Sequence, residues 1–193
     1  MVKKINLPAN KEEIRKLKTG DIVYLNGIFY TLRDEGHIRA LKNKKIPVDF
    51  KNSAIFHCGP IMKKTYSGWK VIAAGPTTSA RMNSLEPRFI EIFRPGFIIG
   101  KGGMNKKTKN VMKKHGCVYL SMTGGAAVLG AKMLKVHDVY WYDLGMPEAL
   151  WVLEAKNFGP LIVAMDVHGR SLYENVKKNV EKNVVKVRKR LGL

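Results

Sequence analysis

Two glycine-bounded turns, each set directly behind a short apolar run, constrain this chain more than any other feature in it. Val71-Ile72-Ala73-Ala74 leads into Gly75-Pro76-Thr77-Thr78-Ser79-Ala80-Arg81-Met82, and Phe97-Ile98-Ile99 leads into Gly100-Lys101-Gly102-Gly103-Met104. A possible helix follows each turn, so both turns are expected at strand ends, with backbone N–H groups pointing outward. Together with hydroxyls, one guanidinium and one ammonium, such N–H groups make a good binding place for negative charge. The two turns can therefore face one anionic ligand.

The rest of the chain supplies alternating elements. Asn10 followed by Glu13 has the form of a capping box, and Ile14, Leu17 and Gly20 predict a helix over 11–18. Ile22-Val23-Tyr24-Leu25 and Ile28-Phe29-Tyr30 flank Asn26-Gly27, which predicts a hairpin that ends at Arg33. A helix is expected from Asp34 to Lys44, carrying His37 and Arg39 in its early turns, until Pro47 breaks the pattern. Strands are expected at 54–58, 69–74, 97–99, 117–122, 138–142, 150–156 and 161–166. Helices are expected up to about Phe93, over 105–114 and 125–133, and from a Ser171 cap to Arg190. Helices between and after non-sequential strands favour a mixed α/β domain.

Length and composition set the outer bounds. With 193 residues, 45% hydrophobic and 26% charged, the chain suits one soluble globular domain over 1–193. No apolar run approaches the ~20 residues a membrane helix needs. The apolar part of Met1 to Pro8 is too short for a signal peptide, so cytoplasmic residence is expected. Cys58 and Cys117 are the two cysteines, without ligand spacing, and read as small buried residues. The formal charge of +20 is concentrated in Lys101, Lys106, Lys107, Lys109, Lys113 and Lys114, and again near the C-terminus. A solvated, lysine-rich surface, an acidic partner, a polyanion or nucleic acid would each account for it.

Six blocks in order carry a resemblance to a known family: Gly20-Asp21-Ile22-Val23-Tyr24-Leu25, Arg33-Asp34 with His37 and Arg39, the two glycine turns, Gly145-Met146-Pro147-Glu148, and Phe158-Gly159-Pro160-Leu161-Ile162-Val163. Nearly the whole chain resembles the β subunit, or C-terminal half, of class I iron–sulfur fumarases and the related L-tartrate dehydratases. The resemblance implies a swivelling β/β/α domain with a mixed sheet and flanking helices. It also implies a hydro-lyase of the tricarboxylic acid cycle interconverting malate and fumarate, with L-tartrate dehydratase as the alternative. A site-differentiated four-iron four-sulfur cluster needs three thiolates, which two cysteines cannot supply. The resemblance therefore places the cluster on a separate α subunit, leaves this chain inactive alone, and implies a heterotetramer or larger assembly. No metal is assigned to this chain.

Removing hydroxide and a weakly acidic proton from a dicarboxylate builds negative charge on a group already charged, so the site must be cationic. By resemblance, Arg33, Arg81 and Lys101 fall on substrate-binding positions, and Thr77 is implicated in proton transfer. Arginine suits bidentate contact with a carboxylate, whereas lysine acts as a point charge. Each also has a plainer reading: Thr77 as a helix cap, the arginines as surface ion-pair residues. His37, one helical turn from Arg33, has the intrinsic pKa for proton transfer, or serves as a structural hydrogen-bonder.

Two other classes compete. Gly100-Lys101-Gly102-Gly103 before a lysine-rich helix also resembles the G-x-x-G loop of a KH domain, a nucleic-acid clamp. That reading leaves the Gly75 to Met82 block unused and puts few apolar residues behind the loop, so no nucleic-acid partner is expected. A non-catalytic interaction subunit is the third class. Some lysine patches are expected to face an acidic surface of the α subunit.

Overall fold

The structure, a computed structural model, describes residues 1–43 and 46–192. In chain order its elements are β1 Val2–Leu7, α1 Lys11–Arg15, β2 Ile22–Thr31, α2 Asp34–Lys42, β3 Ala54–Phe56, β4 Ile61–Thr65 and β5 Gly68–Ala73. There follow α3 Glu86–Phe93, β6 Phe97–Gly100, α4 Lys106–His115, β7 Val118–Ser121, α5 Ala127–Ala131, β8 Leu134–Tyr140, β9 Leu150–Met165 and α6 Leu172–Arg190. This is the expected mixed α/β fold.

Seven strands form one sheet in the order β1-β2-β3-β6-β7-β9-β8, and β2 also pairs with β9. The extra pairing closes β2, β3, β6, β7 and β9 into a ring. Neighbouring pairs among β1, β2, β3, β6 and β7 are parallel, while β9 runs antiparallel to β2, β7 and β8. Alternation along the strands divides the core in two. Ala54, Phe56, Phe97, Ile99, Val118 and Leu120 fill one side together with Leu25, Trp151 and Phe158. Ile55, Ile98 and Tyr119 point the other way, against Phe89 and Ile90 of α3 and Met112 of α4. Because both faces are covered, β3 and β6 are buried throughout and read as continuous apolar runs.

Three expectations are corrected. Asn26-Gly27 does not turn the chain: β2 is one strand from Ile22 to Thr31, with register shifts against β9 around Leu25 and Gly27. Gly27 has φ of +97°, and a Cβ there would lie 2.6 Å from the Leu7 carbonyl. The Asn26 side chain accepts a 2.8 Å hydrogen bond from the Asn157 N–H. The dipeptide thus builds a bulge where three strands meet, using the same φ freedom that would serve a hairpin.

The stretches 150–156 and 161–166 are likewise one strand, β9, because Gly159 and Pro160 continue it between β2 and β7. β1 and β4 were not expected; β1 lies parallel to β2 at the sheet edge, and β4 pairs antiparallel with β5, the strand expected at 69–74. The first helix is real and carries its capping box, but ends at Arg15. Ser171 caps α6 by accepting from the Glu174 N–H. Helix α2 ends at Lys42, and the expected end at Lys44 lies outside the described residues.

Candidate active site

Parallel strands deliver their carboxyl ends to one side of a sheet, where ligands of α/β proteins commonly bind. Here β2 leads to Arg33, β3 to His57, β6 to Lys101 and β7 to Thr123-Gly124. The loops behind these exits are tied to one another. The Thr77 N–H donates to the His57 carbonyl at 2.6 Å, the Lys101 N–H to the Thr77 carbonyl at 3.3 Å, and the Ser79 N–H to the Lys101 carbonyl at 3.0 Å. Cys58 and Pro76 also form an antiparallel bridge. Both glycine turns of the sequence therefore stand side by side.

The Arg33 side chain is packed so closely over Gly59 that a Cβ there would lie 2.3 Å from its terminal nitrogen. Its Nε lies 3.2 Å from Glu148 Oε1, and the Glu35 N–H donates to Glu148 Oε2 at 3.1 Å. The Arg81 side chain is half exposed and pairs with Asp34 at 2.8 Å, which ties it to the residue after Arg33. Lys101 reaches over Gly124 and has no carboxylate partner among the described residues. Thr77 is half-buried between them. Arg33, Thr77, Arg81 and Lys101 thus share one edge, with two of the three cations held by carboxylates of the same chain.

His37 is elsewhere. It is completely buried, as are His57 and Glu86, and the three side chains meet beneath the edge. Glu86 Oε2 lies 3.2 Å from His37 Nε2 and 3.0 Å from His57 Nε2. Neither approach is aligned as a hydrogen bond, and Glu86 Oε1 finds no donor, so charge at contact distance holds the His37–Glu86 pair. His37 Nδ1 lies 2.7 Å from the Arg33 carbonyl, which can only accept; that nitrogen therefore carries a proton. His57 Nδ1 lies 2.9 Å from Ser79 Oγ, which in turn accepts from the Tyr119 hydroxyl at 2.9 Å.

The two histidines titrate in opposite senses. Desolvation is the largest influence on each and disfavours charge. In His37 it is outweighed by Glu86, by the Arg33 carbonyl and by Asp34, so the pKa is raised. In His57 desolvation wins, helped by the positive His37, and the pKa is lowered. Glu86 would be pushed up by burial, but the two imidazoles bring it down to about 2. The consistent state is an imidazolium at His37, a carboxylate at Glu86 and a neutral His57 that accepts from the Ser79 hydroxyl. The three ligand atoms lie within 4.8 Å of one another, close enough to hold a metal ion. The opposite charges of His37 and Glu86 balance without one.

The trio supports the edge above it. His37 fixes the Arg33 carbonyl, the His57 backbone fixes Thr77, and the His57 ring fixes Ser79, whose backbone fixes Lys101. Glu86 and His57 were missed in the sequence, as were the carboxylate partners Asp34 and Glu148. A signal for Glu86 existed: it sits three and four residues before Phe89 and Ile90, on the apolar face of α3.

The G-x-x-G segment joins β6 to α4, and the ring of Tyr173 covers it: a Cβ on Gly103 would lie 2.6 Å from that ring. Tyr173 thus covers the last glycine of the segment, while Gly102 stays exposed.

A mixed α/β domain whose parallel strands end in a glycine-lined, cationic rim offers backbone N–H groups and cations suited to an anion. Comparison gives the family: the chain belongs to the fumarase C-terminus family, whose model matches residues 1–176. Over 176 residues it is 52% identical to a protein of Methanocaldococcus jannaschii named putative L(+)-tartrate dehydratase subunit beta, covering 88% of this chain and 90% of that one. Over 180 residues it is 41% identical to the L(+)-tartrate dehydratase subunit beta of Escherichia coli strain K12, covering 92% of this chain and 90% of the relative. A putative class I fumarate hydratase of Geobacillus stearothermophilus is 44% identical over 177 residues, which are 91% of this chain and 34% of that longer protein.

Proposed function

We propose that the chain is the β subunit of a two-subunit iron–sulfur hydro-lyase that interconverts (S)-malate and fumarate plus water. The observation that carries this reading is the gathering of the Arg33, Thr77, Arg81 and Lys101 segments on one cationic edge, in a chain that matches the family over 1–176. The cluster such enzymes use does not fit this chain. Cys58 and Cys117 are both buried, and burial pushes both thiols up, away from the thiolate form that iron requires. The cluster belongs to a partner α subunit, and the active enzyme is a heterotetramer or larger.

What this chain contributes is electrostatic. As the proton leaves the carbon beside a substrate carboxylate, charge accumulates on that carboxylate, and fixed cations stabilise it more than they stabilise the ground state. Arg81 is exposed enough to exchange Asp34 for one substrate carboxylate in a bidentate contact. Arg33, clamped by Glu148 and Gly59, offers a preset guanidinium, and Lys101 adds a point charge. Thr77 takes the proton-transfer role in this reading, and its backbone is fixed on His57. A threonine hydroxyl is a weak base, and activation would fall to a carboxylate of the partner. Buried His37 touches no substrate in this reading; it positions Arg33 through its carbonyl.

The second reading, L-tartrate dehydratase, is favoured by the names of the relatives at 52% and 41% identity. Anaerobic reconstitution with a cysteine-containing α subunit, assayed for loss of fumarate absorbance and separately on L-tartrate, tests both. Turnover of fumarate well above that of tartrate is expected. The reverse preference selects the second reading, and an assembled, cluster-loaded complex inert on both acids overturns the hydro-lyase assignment.

A further inference from the structure

Helix α6 runs 19 residues without one buried side chain. Its apolar residues are nevertheless ordered. Val176, Val180, Val184, Val187 and Leu191 are spaced four, four, three and four apart and fall on one face, with Tyr173 at its head. They are 62%, 54%, 44%, 51% and 68% exposed. Valine is a poor helix former, so its repetition here does not serve the helix by itself. An isolated helix of this length is marginal in water and gains most of its stability from what packs against it.

The stripe does not end with the helix. At its base Val176, Leu172 and Tyr173 join Ile162 and Ala164 of β9 around a groove of about 250 Å³. Further along, Val180, Val184 and Val187 continue the apolar face in the open, with Asn183 and Arg188 beside them. One apolar track therefore runs from the sheet to the helix tip. The family match ends at residue 176, so most of the track lies beyond the matched stretch.

Charge identifies the occupant. Between 177 and 190 lie Lys177, Lys178, Lys182, Lys186, Arg188, Lys189 and Arg190 against Glu181 alone. Glu174, nearer the base, is already paired with Lys109. A second copy laid on this track would set seven cations against seven. A lipid surface is usually met by aromatic and leucine side chains, and the track is mainly valine, the β-branched type that packs against another helix. We infer that α6 docks an acidic amphipathic helix of the cluster-bearing subunit, valines inward and lysines facing its carboxylates. This inference rests on the two-subunit reading above.

The test uses the reconstituted two-subunit enzyme. The triple variant Val180→Ala, Val184→Ala, Val187→Ala removes the track while raising helix propensity, so helix loss is not the cause of any effect. Subunit dissociation is followed by sedimentation on dilution at low and high salt. At least tenfold weaker assembly is expected for the triple variant. A similar loss is expected for Lys182→Glu with Lys186→Glu, the latter shrinking as salt rises. Dissociation unchanged within twofold in both variants overturns the inference, while turnover in that intact complex leaves the hydro-lyase reading standing. Failure of the wild-type chain to assemble with any α subunit overturns both. Self-association of the wild-type chain alone, or its binding to phosphatidylserine vesicles, lost in the triple variant, overturns the inference in favour of a second copy or a membrane.

Discussion

Replacing Glu86 with glutamine tests the charge assignment on which the edge depends. The side chain keeps its size, so no cavity opens, but the counter-ion of His37 is removed from a site with no solvent exposure. Losing one buried contact between charged groups costs about 1.5–3 kcal/mol. The larger cost of about 3–5 kcal/mol for a stranded buried charge does not arise, because His37 can release its proton. A net loss of about 2 kcal/mol is expected, which for a domain of this size lowers Tm by roughly 4–8 °C. The imidazole signals should show His37 charged at pH 7 in the wild type and neutral in the variant, because the ring then keeps only the Nδ1 proton held by the Arg33 carbonyl. In the assembled enzyme KM should rise more than kcat falls, because a neutral His37 holds the Arg33 carbonyl less firmly than the charged ring does. A variant in which His37 remains charged at pH 7, with Tm unchanged, would refute the ion-trio reasoning.

Stability of the isolated chain should pass through a maximum near pH 6.5. The raised His37 pKa gives stability that is present below its unfolded value and lost as pH rises through the folded one; the lowered His57 pKa gives the opposite limb, lost on acidification. A further acid loss is expected as pH falls from the unfolded carboxyl range toward the Glu86 value of about 2, and urea titrations at about pH 2.5, 5, 6.5 and 9 measure all three. Arg81→Ala removes a half-exposed ion pair, so stability should change by less than about 1 kcal/mol. Turnover of the assembled enzyme should nevertheless fall about 100- to 1000-fold, and near-normal turnover would remove Arg81 from the site. Gly100→Ala would put a Cβ 1.9 Å from Ser79 Oγ, at a cost of about 1–3 kcal/mol by thermal melting, partly recovered by adding Ser79→Ala.

The glycine turns were legible because short apolar runs ending in glycine mark strand ends; the second leaves β6 of the parallel sheet, whereas the first leaves β5 of the separate hairpin and is joined to the rim by its bonds to His57 and Lys101. Asn26-Gly27 was misread because a hairpin turn and a bulge ask the same thing of glycine; only the pairing of β2 with both β1 and β9 separates them. Gly159-Pro160 misled for the matching reason: a punctuating pair can bend a strand without ending it. His37 was visible as a residue but not as a buried one. Its surroundings come from α3 and from the β3 exit, 49 and 20 residues away, and local pattern carries no information about those contacts.

The closed ring of β2, β3, β6, β7 and β9 has a dynamic corollary. An open sheet can peel from its outermost strand, releasing amide protons to solvent a few at a time, whereas a closed circuit of hydrogen bonds has no loose end from which peeling can begin. Deuterium uptake at Ile55, Ile98 and Leu120 should therefore require the whole circuit to come apart, so the floor under the four exits stays in place while the rim above it exchanges its ion-pair partners.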